Sequence, residues 1–262
     1  MNILDTIIAY KKVEVIKRKA VRPVAELENT SAFMRKTLSL KSSLLDDSKT
    51  GIIAEYKRKS PSKGIINDRA NVIAVTTAYT KNGASGLSVL TDEKFFGGST
   101  DDLMKARVNQ IPILRKDFIV EEYQILEAKA MGADVILLIA ACLTTGEVKQ
   151  LAAFAKSLDL EVLLELHAEE ELEHICSDTE IVGINNRNLK TFEVDIERSL
   201  RMAEKIPANK IKVAESGISS AENINLFKEH GFRGFLIGEN FMKEENPGEA
   251  FMEFANKLNN QK

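Results

Sequence analysis

A chain of 262 residues, 44% hydrophobic and 29% charged, without a low-complexity tract, has the makeup of a globular protein able to bury a core without disulfide or metal staples. The 36 Lys and Arg against 39 Asp and Glu exclude a global basic field for nucleic acid, but not a local basic site. Two cysteines are too few for a disulfide framework, and no run of about 18 apolar residues offers a membrane span.

Cys142 falls in an apolar run that reads as buried, which favours a reducing compartment. The first residues carry Asp5 and then Lys11 and Lys12 with no long apolar core, unlike a signal peptide. A cytoplasmic setting is therefore expected.

Residues 1–50 stand apart as a helical extension. Ile3, Leu4, Ile7, Ile8, Val15 and Ile16 recur at helical spacing with lysines and glutamates between them. That helix should end before Arg22-Pro23, because the residue preceding a proline is pushed out of the helical region. A second short helix is expected around residues 29–41.

From residue 51 to 262 a different rhythm runs. Eight short β-branched or leucine-rich runs start at Ile52, Leu87, Ile113, Val135, Val162, Ile181, Ile211 and Phe235. Their spacing of about 26 residues fits one strand, one helix and two loops. Between them lie helix signals: a capping box at Thr144–Glu147, a cap at Ser219 or Ser220, and Gly83, Gly132 and Gly231 where helices should stop. Near-continuous apolar strands alternating with amphipathic helices mean parallel pairing with both faces covered. Eight units predict a single α/β domain, a closed (β/α)8 TIM barrel behind its helical extension. An open doubly wound sheet is the alternative, but no G-x-G-x-x-G follows the first strand.

Polar groups embedded in these strands carry the functional signal. Side chains alternate along a strand, so Glu55 and Lys57 share a face, as do Asn185 and Arg187. Charges should avoid the helix layer and point inward near the mouth. Lys116 ends the third strand, Glu165 nearly ends the fifth, and Glu215-Ser216-Gly217 ends the seventh. One strand-end charge is more often a solvated loop residue; five strand ends supplying such groups to the rim where barrel active sites lie are not.

Ser216-Gly217 and Gly238 precede helices, so their backbone N–H groups can hold a phosphate dianion between the last two strands. Lys57 and the Lys59–Gly64 loop add positive charge and hydroxyls nearby. His167, His174 and His230 lack metal-ligand spacing and read as surface residues. There is no G-x-S-x-G elbow and no P-loop.

Read together, Ile53-Ala54-Glu55-Tyr56-Lys57-Arg58-Lys59-Ser60-Pro61-Ser62, Val89-Leu90-Thr91-Asp92, Phe95-Phe96-Gly97-Gly98-Ser99, Leu114-Arg115-Lys116-Asp117-Phe118-Ile119-Val120, Gly183-Ile184-Asn185-Asn186-Arg187-Asn188-Leu189 and Val213-Ala214-Glu215-Ser216-Gly217-Ile218 resemble the indole-3-glycerol phosphate synthase family from about residue 50 to 245. The resemblance implies a phosphorylated small-molecule substrate, 1-(2-carboxyphenylamino)-1-deoxyribulose 5-phosphate. Its ring attacks the ketone carbon, CO2 leaves, and dehydration yields the indole. No cofactor or metal is implied, nor a nucleic-acid or membrane partner, and a monomer is expected.

By the same resemblance the catalytic residues are Glu55, Lys57, Lys116, Glu165, Asn185 and Ser216. Lys116, held by Glu165, would protonate the ketone oxygen, and Lys57 with Glu55 would serve dehydration. Asn185, Arg187 and Ser60 would orient the carboxylate. Phe96, Phe118 and Leu137 would form the slot for the aromatic ring, with Leu189 also binding substrate. Ser216, Gly217, Gly238 and the backbone of Glu239 would hold the phosphate; some relatives carry serine in place of Glu239, whose carboxylate would repel a phosphate. Asn186 and Asn188 depart from the Ser and Asp of some relatives, with small expected consequence. Competing readings are another phosphate-binding barrel enzyme, such as a phosphoribosyl isomerase or a Schiff-base aldolase, and a non-catalytic sugar-phosphate-binding barrel.

Overall fold

The computed structural model describes residues 3–188 and 193–260. Three helices precede the first strand: α1 (Ile3–Val21), α2 (Val24–Glu28) and α3 (Leu40–Leu44). α1 ends before Arg22-Pro23 as the proline requires. The expected helix over 29–41 does not form. Thr30 turns the chain instead: its hydroxyl donates to the Leu27 carbonyl at 2.9 Å and accepts from Phe33 N–H at 3.3 Å. Side chains of this kind offer the backbone an alternative to helix. Helix resumes only where Ser39 can cap it, accepting from Ser42 N–H at 3.0 Å.

Strands and helices then alternate as β1 (Ile52–Tyr56), α4 (Val72–Lys81), β2 (Gly86–Leu90), α5 (Glu93–Phe96), α6 (Thr100–Ala106), β3 (Ile113–Lys116), α7 (Glu122–Met131), β4 (Val135–Ile139), α8 (Thr145–Ser157), β5 (Glu161–Leu166), β6 (Ile181–Asn185), α9 (Ile196–Ala203), β7 (Ile211–Glu215), α10 (Ala221–Glu229), β8 (Phe232–Ile237), α11 (Glu239–Met242) and α12 (Pro247–Asn259). Each strand pairs in parallel with the next, and β8 closes on β1 with Ile53 opposite Leu236. The capping box at Thr144 and Glu147 forms, Ser220 caps α10, and Gly83, Gly132 and Gly231 take positive φ of 89°, 87° and 80°. The β5–β6 connection carries a 3-10 segment, Glu169–His174, in place of an α-helix.

Two cores follow from the alternation of strand side chains. Outward-facing residues such as Ile52, Ile136 and Val182 pack against the helix ring. Inward-facing Ile53, Leu114, Leu163, Ile181 and Val213 fill the barrel. α3 closes the floor: Leu40 and Leu44 belong to the interior cluster, and the missing Cβ atoms of Gly86 and Gly234 leave them room.

The expectation that charges avoid the helix layer fails at Arg115. Its guanidinium is fully buried there, paired with Asp117 at 3.0 Å and Glu127 at 3.4 Å and bonded to Thr91 Oγ1 at 3.1 Å. Lys11 of α1 joins the same network, 2.8 Å from Asp92, 2.9 Å from Asp117 and 2.7 Å from Glu14. Buried charges survive only when paired, and here they are paired with one another. Cys142 and Cys176 are free thiols, both partly buried. Among the described residues no helix is long and apolar enough to cross a membrane.

Candidate active site

Every strand delivers its last inward side chain to one end of the barrel, and there a cavity of about 340 Å³ opens. Above the apolar layer of Ile53, Leu114, Leu163 and Val213, two residues further along each strand, stand Glu55, Lys116, Glu165 and Glu215. Lys57 and Asn185 complete this ring.

Two lysines organise it. Lys116 Nζ lies 2.6 Å from Glu165 Oε2 and 3.0 Å from Glu215 Oε2, while Lys57 Nζ lies 2.7 Å from Glu55 Oε2. Burial by itself pulls the Lys116 ammonium down, but the carboxylates of Glu165, Glu215 and Glu55 outweigh it and hold its pKa above the ordinary lysine value. Glu165 is held well below the usual carboxylate range: burial opposes this, and Lys116 overrides it. Glu215 behaves oppositely. Burial and the adjacent Glu165 charge push it up to about 7 against the pull of Lys116. Two carboxylates thus share one ammonium, one held ionised and the other keeping its proton to higher pH than a free carboxyl does.

The neighbouring backbone makes space for these acids. A Cβ at Gly183 would overlap the Glu215 carboxylate, and one at Gly238 would overlap Glu55. Gly238 therefore seats a site carboxylate in addition to lying at the mouth. Ser216 and Gly217 both adopt left-handed backbone, with φ of 67° and 71°. A non-glycine residue in that region is strained and marks a site the surroundings hold in place. Asn186 supplies part of that hold: it is buried, and its Nδ2 donates to the Ser216 carbonyl at 2.7 Å.

An apolar wall faces the charges. Phe96 and Phe118 meet at 5.9 Å between ring centroids with a 41° tilt, and Leu137 lines the same cavity. Asp92 caps α5, which carries Phe96, and Asp117 accepts the Phe118 N–H at 2.8 Å, so both rings hang from the buried network around Lys11. The wall continues into Ile3, Leu4 and Ile7 of α1.

On the opposite rim, Arg187 reaches Ser62 Oγ at 3.3 Å and its backbone N–H donates to Asn185 Oδ1 at 3.0 Å. Ser60 lines the cavity in the loop after β1, accepting the Lys63 N–H at 3.2 Å. Glu239 is balanced by cations, Arg187 at 3.6 Å and Lys63 at 3.7 Å.

Thus Glu55, Lys57, Lys116, Glu165, Asn185 and Ser216, with Ser60, Phe96, Phe118, Leu137 and Arg187, meet around one cavity with Gly217, Gly238 and Glu239. Leu189 lies outside the described residues. Sequence reasoning brought Glu215 to the rim at the end of β7 but gave it no role in the site. It also missed the α1 residues, whose spacing reads only as helix, and it misjudged His167. That ring is not on the surface: the side chain is 9% exposed and its Nε2 stands 2.9 Å from Glu165 Oε1. Among the described residues no group of three or more His, Cys, Asp or Glu side chains could hold a metal ion.

A sequence profile of indole-3-glycerol phosphate synthase matches residues 4–254. The chain is 48% identical over 254 residues to an indole-3-glycerol phosphate synthase of Bacteroides thetaiotaomicron, covering 97% of each chain. It is 46% identical over 256 residues to one of a Polaromonas species, covering 95% of this chain and 96% of the relative. Among solved structures, the tryptophan synthase complex of Pyrococcus furiosus contains a chain that superposes with a TM-score of 0.61 at 16% identity, over 81% of this chain and 98% of that one. A structure described as native KDPGal superposes with a TM-score of 0.57 at 13% identity, over 80% and 92%. At such identities these two share the fold alone.

Proposed function

The chain belongs to the indole-3-glycerol phosphate synthase family, and from that premise we propose how its own residues carry out the reaction. The enzyme closes the ring of 1-(2-carboxyphenylamino)-1-deoxyribulose 5-phosphate, releasing CO2 and water to give indole-3-glycerol phosphate, a carboxy-lyase step of tryptophan biosynthesis.

In our assignment the substrate's phosphate binds at the backbone of Ser216, Gly217, Gly238 and Glu239, and its aromatic ring lies against Phe96, Phe118 and Leu137. Leu189 is assigned to substrate binding with them. Arg187, with Ser60 and Asn185, grips the carboxylate; guanidinium does this in a bidentate way that lysine cannot match. Lys116 protonates the ketone oxygen as the ring carbon attacks. Glu165 keeps that ammonium charged and in place. After CO2 leaves, Lys57 protonates the departing hydroxyl and Glu55 takes the ring proton. Ser216 contributes through the strained turn that joins the phosphate site to the end of β7.

The observation that carries this reading is the pair of lysine–carboxylate contacts facing an aromatic wall inside one cavity. It disfavours a Schiff-base aldolase, because an ammonium held charged by two carboxylates is a poor nucleophile. Borohydride should trap no adduct with a carbonyl substrate. The direct test is incubation with the carboxyphenylamino deoxyribulose phosphate while following indole fluorescence. Lys116→Ala should lose about 10²–10⁴-fold in kcat while still binding inorganic phosphate. Normal turnover in that variant would remove Lys116 from the mechanism. We further place the enzyme in the cytoplasm as a monomer, with helical extension and barrel forming one domain, a reading supported by the buried Lys11 network that joins them.

A further inference from the structure

We propose that His167 is a positioning residue for the reaction, fixing the Glu165 carboxylate in the orientation that serves Lys116, without itself touching the substrate. The proposal rests on the assignment of Lys116 and Glu165 given above, and goes beyond it to a residue outside the cavity wall.

The Glu165 carboxylate divides its two oxygens among three partners. Oε2 faces Lys116 at 2.6 Å. Oε1 receives Asn185 Nδ2 at 2.9 Å and has His167 Nε2 at 2.9 Å. A carboxylate with one donor per oxygen can still swivel about its terminal torsion, which is broad and roughly two-fold. Asn185 enters from β6 and His167 from just beyond the end of β5. Two groups approaching Oε1 from different elements therefore fix the carboxylate plane and leave Oε2 to the ammonium.

The histidine is held in turn. Two residues beyond Glu165, its backbone N–H donates to Glu171 Oε2 at 2.6 Å, and its Nδ1 lies 3.8 Å from the same oxygen. Glu171 belongs to the 3-10 segment that replaces a helix after β5, and through it that irregular segment brings a second carboxylate behind the ring.

The charges around the ring come from every side. Glu165 stands before it on its own strand, Glu171 behind it, and Glu215 on β7 contributes at longer range. Lys116 on β3 lies beyond Glu165, while Cys142, in the turn after β4, faces Glu165 and Glu171. Burial by itself lowers the imidazole's proton affinity, and the acids outweigh it, so the ring stays protonated to higher pH than an ordinary histidine. A protonated His167 offers Glu165 a charged donor; a neutral one offers at most a neutral donor, which is weaker.

Three variants test this in the full-length enzyme. His167→Leu keeps bulk and removes the donor, and should lower kcat about tenfold while KM stays within about twofold, the pattern of a lost transition-state interaction. His167→Gln places an amide nitrogen near the position of Nε2 without titrating. It should recover most of the kcat at pH 7 and lose the part of the kcat–pH profile that belongs to the imidazole. Glu215→Gln in the same background removes the titration of Glu215, the other site group whose proton affinity is raised.

A His167→Leu enzyme with wild-type kcat and pH profile overturns the proposal. So does a variant whose only changes are a lower Tm and a raised KM, which would mark a merely structural role. A His167→Gln enzyme no better than the leucine variant overturns it as well. Lys116→Ala is measured alongside. If it retains turnover, the underlying assignment fails; if it is inactive while His167→Leu is unaffected, only the role of His167 falls.

Discussion

At the scale of single residues, the site is governed by how much room each carboxylate is given and how many charges face it. Gly183 is the sharpest case. Its inward face is occupied by the Glu215 side chain, so Gly183→Ala must displace that carboxylate or the strand. Overpacking of this kind costs about 1–3 kcal/mol. The variant should also lose turnover by moving a partner of Lys116, read by thermal unfolding and steady-state kinetics together.

Glu215 itself should show a trade-off. Its carboxyl is raised to about 7, so ionising it inside the barrel costs stability that grows as pH climbs from about 4.3 toward 7 and persists above. Glu215→Gln should therefore raise Tm at pH 8 while lowering kcat. An unchanged Tm at pH 8 would show that Lys116 already compensates the charge. Lys57, Lys116, Glu165 and Asn185 were legible in the sequence because a charge at the end of an apolar strand has few places to go. His167 was not: it shares a face with Glu165 as Lys57 does with Glu55, but a histidine without metal-ligand spacing reads as a surface residue.

At the scale of elements, the eight barrel strands could be read directly, since each is a short apolar run bounded by turn or capping residues. The extension gave up its first helix, ended by Pro23, but not its tertiary roles. Its helices are amphipathic in the ordinary way, and nothing local marks Lys11 as buried or Leu40 and Leu44 as a floor. Those roles come from tertiary partners far along the chain: Asp92 and Asp117 for the lysine, Gly86 and Gly234 for the leucines. Leu44→Ala should cost about 2–5 kcal/mol, as a large-to-small change in a closed core does, with kcat nearly unchanged because the floor is at the opposite end from the site. Lys11→Met should be as damaging for another reason. It leaves Asp92 and Asp117 short of a counter-charge in a buried setting, a loss of about 3–5 kcal/mol, and loosens the supports of Phe96 and Phe118. Denaturant unfolding of each variant measures these costs, and kinetics separates floor from wall.

At the scale of the whole molecule, the buried network on α1, β3 and α7 sets the response to pH. Asp117 is held below its ordinary range: burial opposes this, and Arg115 and Lys11 prevail. A depressed carboxyl contributes stability that is present above its unfolded pKa of about 3.9 and lost as pH falls through the folded value. Lys11 is raised, again against burial, by Asp117 and Asp92, so its contribution is complete below about pH 10.4 and lost only above. Between those limits the network adds no slope of its own, and unfolding should accelerate below about pH 4. A Tm that declines steadily from pH 7 to 5 and shows no break near 4 would contradict this.

The position of α1 has a practical consequence for anyone handling the protein. Ile3, Leu4 and Ile7 line the entrance, so whatever is joined ahead of them, whether an affinity tag or a fluorescent fusion, hangs beside the path by which substrate arrives. α12 contributes no residue to the cavity lining and packs along α4 over a length of about 20 Å. Cargo attached behind Asn259 should leave entry unobstructed, whereas the same cargo in front should slow capture of substrate.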